Sequence, residues 1–107
     1  MARRRGYELL IAPEAVEHLD GIERKHHRLI AAVITEQLVH TPLDQTRNRK
    51  PLRQPAPFDA TWELRCGPDN RFRIFYEADA ESREVVVLAI GVKDGHRLLV
   101  GGEEIAT

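Results

Sequence analysis

An α+β fold is predicted by three features of the sequence. A short apolar segment, "YELLI" at 7–11, stands ahead of two stretches whose apolar residues recur at helical spacing. Three strand-like runs, at 61–65, 71–77 and 84–90, follow and are separated by turn chemistry. The last of them, "VVVLAI", is apolar without interruption, as a central strand covered on both faces would be. The expected architecture is an N-terminal strand, an αα-hairpin, and then a mostly antiparallel meander of three to four strands, with the helices on one face.

Each element has its own justification. Pro13 suits the first turn of a helix, where its missing N–H costs nothing. Ala15, Val16 and Leu19 give that helix one apolar face, and Asp20-Gly21 ends it. Asp20 with Glu23 resembles a capping box for a second helix over about 22–40. Ile22, His26, Leu29, Ile30, Val33, Ile34, Gln37 and Leu38 form its stripe, and Pro42 marks its end. The stripe, Leu29 and Val33 included, is expected to bury against the sheet. Residues 41–60 form a linker-like interval that holds four of the six prolines and the basic run "RNRKPLR". Turns at Gly67–Asn70 and "DAES" (79–82) separate the meander strands, and "RLLV" at 97–100 adds a short strand or turn before Gly101-Gly102.

Composition narrows the function classes. A chain of 107 residues fits one domain, taken as 1–107. No apolar run approaches the ~20 residues that cross a bilayer, and the segment after the basic "MARRR", best taken as a floppy tail, is too short and acidic for a signal peptide. No membrane association and a cytoplasmic location are expected. The single cysteine, Cys66, fits a reducing compartment and is expected to be inert. Formal net charge is −1, but residues 41–74 carry seven Lys/Arg against four Asp/Glu, so a local basic patch is expected instead of a basic whole. Neighbouring His26 and His27 point about 100° apart on a helix and make a poor metal pair. No Cys/His cluster, Walker-type loop or serine triad can be assembled, so neither metal nor cofactor is expected.

The stretch "WELRCGPDNRFRIFY", 62–76, carries the sharpest signal. Trp62, Leu64, Phe72, Ile74 and Tyr76 alternate with Glu63, Arg65 and Arg73, which point the other way. The two arginines can therefore share the sheet face that the helices leave open. They make either a solvated face paired with Glu63 and Glu77 or a site for phosphate, whose oxygens a guanidinium holds two at a time.

Taken in order, "KPLR", "WELR", "RFRIFYE", "VVVLAIGVK" and "RLLVGGEE" resemble the RelE/ParE superfamily of toxins from type II toxin–antitoxin pairs, over almost the full length. The resemblance implies a cognate antitoxin as partner. It implies either a RelE-like metal-free endoribonuclease, with mRNA and the ribosome as further partners, or a ParE-like inhibitor of DNA gyrase; a non-toxic binding module of the same fold is a third form. On the nuclease branch Arg73 matches the arginine that contacts the scissile phosphate, and Lys93 matches a lysine after the last long strand. Arg65 joins Arg73 in charge stabilisation, and Lys93, His96 and Glu63 are the acid and base candidates. Arg47, Arg49, Lys50, Arg53, Arg71 and Arg97 are the candidate RNA-binding residues. The chain departs from the RelE pattern at Thr61 and Glu63, where lysines are usual, at Asp94, and at Leu99 and Val100, where a tyrosine is expected.

Overall fold

The computed structural model describes residues 6–105; the arginines of the basic N-terminal tail lie outside them. The elements are β1 (Glu8–Ile11), α1 (Pro13–Asp20), α2 (His27–Val33), β2 (Arg49–Pro51), β3 (Trp62–Cys66), β4 (Phe72–Asp79), β5 (Glu84–Asp94), β6 (Arg97–Val100) and β7 (Glu103–Ile105). Strands β2 to β7 lie side by side in chain order, each antiparallel to the next. β1 pairs in parallel with β5, Leu9 opposite Val85 and Ile11 opposite Val87. No helix among the described residues is long and apolar enough to cross a membrane.

The meander is longer than expected, because β2 and β7 extend it at both ends. The linker-like interval 41–60 thus contributes a strand inside its basic run. Pro51 can sit there because β2 is the outer strand of that side of the sheet. β7 is three residues long, too short for an alternating pattern to show.

β5 is central, and both its faces are covered. Val85, Val87 and Ile90 pack into the helix-side core with Ile30, Ile34, Leu38, Leu64, Phe72, Ile74 and Tyr76. Ala89 packs on the opposite side with Phe75, Leu98, Val100 and Ala60. The alternation along β5 shifts phase because Leu88 is an extra residue. Phe75 pairs with Ala89, but Tyr76 pairs with Val87.

The helical segment departs from the predicted single helix. A 3₁₀ turn at Arg24–His26 leads into α2, and Ile34–Leu38 continues as a wider π turn. The Asp20–Glu23 capping box does not form; Glu23 stands at the N-cap without a side-chain bond. His27 Nε2 instead bonds the Ile22 carbonyl at 2.7 Å. The fully buried row is Ile30, Ile34 and Leu38, one ridge at spacing four, while Val33 is half-buried. Leu29, expected in the buried stripe, is 40 % exposed because it lies about 100° around the helix from Ile30. Val16 of α1 is exposed for the same reason, one step from buried Ala15.

Candidate anion-binding site

The alternation in β3 and β4 turns Glu63, Arg65 and Arg73 away from the helices, as the sequence predicts. The strand register then makes Arg65 and Arg73 direct partners. Gly67 fixes the hairpin between them. Its φ is +83°, and a β-carbon there would collide with the Phe72 ring. On the other side of Arg73 lies Gly91, where a β-carbon would meet Leu98 and Val100 at 3.0 Å. Gly91 therefore lets β6 close down on β5 and keeps the floor beside Arg73 low.

A concavity of about 240 Å³ results. Lys50, Arg65, Arg73 and Lys93 supply its charge, and Phe75, Leu98, Leu52 and Pro57 its apolar floor and walls. Four cations against the single carboxylate of Glu63 leave about three positive charges around a space large enough to admit a phosphate. A larger concavity, about 460 Å³, lies at the far end of the β4–β5 hairpin. Glu77, Asp79 and Glu84 line that one and would repel a phosphate.

Glu63 is only 7 % exposed and lies between the arginines. Its Oε1 accepts from Arg65 Nε at 3.2 Å, and its Oε2 is 3.6 Å from Arg73 Nη1. The expected pairing is thus present at Glu63, whereas no pairing of Glu77 with either arginine forms. Arg73 Nε also donates to the Asn70 carbonyl at 3.1 Å. The two arginines differ in exposure: the side chain of Arg65 is about a third exposed, that of Arg73 14 %. Burial, and then the neighbouring charge of Arg65, lower the Arg73 pKa from its ordinary value; Glu63 acts the other way.

The remaining candidates divide by position. Lys93 lines the concavity and also borders a neighbouring hollow formed with Arg71 and Asp94. Arg71 lies over the Phe72 ring, 5.5 Å from its centroid. His96 is exposed in the β5–β6 turn, outside the concavity, and Arg97 beside it pairs with Asp94 at 3.1 Å. Arg47 and Arg53 are exposed and also lie outside it.

Arg49, expected among the RNA-binding residues, is buried instead. It is 6 % exposed, and its guanidinium bonds the carbonyl of Thr41, the Thr41 hydroxyl at 2.8 Å and the Gln37 carbonyl at 3.4 Å. A cation at the carbonyl end of a helical segment is well placed electrostatically. Arg49 thereby ties β2 to the segment after α2, so "RNRK" splits into one internal and several external residues.

Phe75, Leu98 and Pro57 were not foreseen as site residues. Phe75 and Leu98 look like ordinary strand residues until the register shows which face they occupy. Pro57 lies in the proline-rich interval, and only the fold brings that interval over the sheet.

No family model matches the sequence, and no curated protein matches it. A solved structure does: a chain of the toxin–antitoxin complex RelBE2 from Mycobacterium tuberculosis, at 24% identity and a TM-score of 0.66. The match covers 82% of this chain and 99% of that one. The resemblance seen in the sequence motifs thus extends to the three-dimensional arrangement, and the chain has the fold of that RelBE2 component.

Proposed function

We propose that the protein is the toxin of a toxin–antitoxin pair and a RelE-like endoribonuclease that cuts mRNA on the ribosome. The observation that carries this reading is the convergence of Lys50, Arg65, Arg73 and Lys93 on one concavity with an apolar floor. The likeness to a toxin–antitoxin complex supports the toxin class and a cognate antitoxin.

RNA carries its own nucleophile. The 2′-hydroxyl attacks the adjacent phosphorus, the 5′-oxygen leaves, and charge gathers on the phosphoryl oxygens between. Arg65 and Arg73, directly opposite each other on neighbouring strands, can hold those oxygens with guanidinium forks. Partial burial of Arg73 strengthens that interaction, because less water competes for the charge. Of the acid and base candidates, Glu63 and Lys93 line the concavity. The Glu63 carboxylate takes the proton from the 2′-hydroxyl, and the Lys93 ammonium protonates the departing 5′-oxygen. The antitoxin covers part of the surface outside the core, where Leu10, Ile11, Val16 and Leu29 are exposed.

One observation favours the second reading, a ParE-like inhibitor of DNA gyrase that works without chemistry. Glu63 already satisfies both arginines, so the pair has a structural use apart from any phosphate. Induction in cells separates the two. Primer extension on a reporter message should show discrete cleavage, and DNA should stay intact. Intact messages beside broken DNA would replace the nuclease reading with the gyrase one.

A further inference from the structure

The inference below rests on reading the cationic concavity as a site for the RNA backbone. We propose that Phe58 is a stacking platform for a nucleobase of the strand whose phosphate lies at Arg65 and Arg73.

Phe58 occupies a backbone conformation that a benzyl side chain disfavours. Its φ is 60° and its ψ 18°, and Asp59 after it has φ 56°. Glycine, asparagine or aspartate takes up such left-handed positions at lower cost, and a bulky residue there is an outlier. The strain is not offset by full burial, since Phe58 remains 40 % exposed. A large aromatic ring is thus held partly in solvent by an unfavourable turn.

The turn is well fixed. Gln54 Nε2 donates to the Ala60 carbonyl at 3.0 Å, and the Asp59 and Ala60 amides bond the carbonyls of Ala56 and Pro57, each at 3.1 Å. The ring is backed on two sides. Phe75 lies 6.1 Å away at an interplanar angle of 43°, and His18 lies 6.0 Å away at 56°. Phe75 is also part of the floor of the concavity, and Pro57, the residue before Phe58, is part of its wall. The exposed aromatic is therefore continuous with the anion site.

A cationic surface beside a rigid exposed aromatic is what single-stranded RNA needs. The cations hold the backbone, and the ring offers a π-face to an unstacked base. The ring makes no hydrogen bond, so the stack tolerates any base identity. It would set which nucleotide lies beside the phosphate more than its sequence.

The test uses the full chain and a short labelled single-stranded RNA with 2′-O-methyl sugars, which resists cleavage, at low ionic strength. Phe58→Leu keeps an apolar group but removes the π-face and should weaken binding roughly 10-fold. Phe58→Tyr should keep the affinity. An abasic sugar placed at successive positions should weaken the parent at one position and leave Phe58→Leu unaffected there. Phe58→Gly relieves the turn, so it should melt no lower than Phe58→Leu while binding equally poorly. If Phe58→Leu binds as tightly as the parent while Arg73→Ala binds worse, the stacking inference is overturned and the phosphate site stands. If the parent cleaves messages in cells yet holds the free RNA no better than Phe58→Leu, the inference again falls alone. A parent that neither binds RNA nor cuts messages overturns both.

Discussion

Arg65 and Arg73 face each other across β3 and β4 as direct register partners, and the carboxylate of Glu63 reaches both. Two guanidinium groups placed so close repel one another unless an anion intervenes. Glu63 supplies that anion in the free protein, and a phosphate would share its place in a complex.

The first prediction concerns this arrangement. Glu63→Gln keeps the shape and removes the charge. Stability should fall by about 1–3 kcal/mol, because two partly buried cations lose their counterion. Affinity for a non-cleavable RNA should rise, with a steeper dependence on salt, because the concavity gains one net positive charge. Cleavage should fall if Glu63 takes the 2′-hydroxyl proton. Chemical denaturation, binding titrations at two salt concentrations and single-turnover cleavage report the three effects. Weaker RNA binding by a folded Glu63→Gln would contradict the electrostatic account.

For Arg73, alanine should lower the cleavage rate roughly 10²-fold, since the lost interaction counts most in the transition state. Lysine should restore only part of it, lacking the two-pronged geometry. Arg73 is less exposed than a solvent-facing residue and also holds the Asn70 carbonyl, so a modest drop in melting temperature should accompany the alanine change. Cleavage that continues undiminished in Arg73→Ala would remove this residue from the mechanism.

Arg49 should behave in the opposite manner. Arg49→Ala strips the Thr41 and Gln37 carbonyls of a charged donor and should cost about 2–4 kcal/mol in urea unfolding. RNA affinity per folded molecule should not change. A stable Arg49→Ala with reduced RNA affinity would return Arg49 to the binding surface.

The buried ridge after α1 gives a paired comparison. Ile30→Ala should cost about 2–5 kcal/mol, whereas exposed Leu29→Ala should lie within roughly 0.5 kcal/mol of the parent. Equal melting of the two variants would show that the helix is rotated from the position described.

Cys66 offers a pH test. Burial pushes its thiol from 9.0 up to about 11, so the folded state favours the protonated form. The stability this contributes is fully present below pH 9 and is lost as pH rises from there through 11. Thiol-reactive dye should label the native protein slowly at pH 8 and rapidly once it is unfolded. Rapid labelling of the native state would refute the burial.

By itself the sequence determined the order of elements and the two faces of the meander. Period-two alternation in "WELRC" and "RFRIFY" is a local property of extended chain, so the common face of Glu63, Arg65 and Arg73 follows without knowledge of the fold. The same holds for the central place of "VVVLAI". Tertiary structure alone decided which basic residues line the concavity. Lys50 and Arg49 are neighbours in the chain, yet β2 sends one toward the concavity and the other into the interior, and the outcome depends on its pairing with β3. It also decided that Phe58 reaches Phe75 and His18, residues separated from it by 17 and 40 positions in the chain. Contacts over such separations come from packing of whole elements, and no local pattern of spacing or charge encodes them.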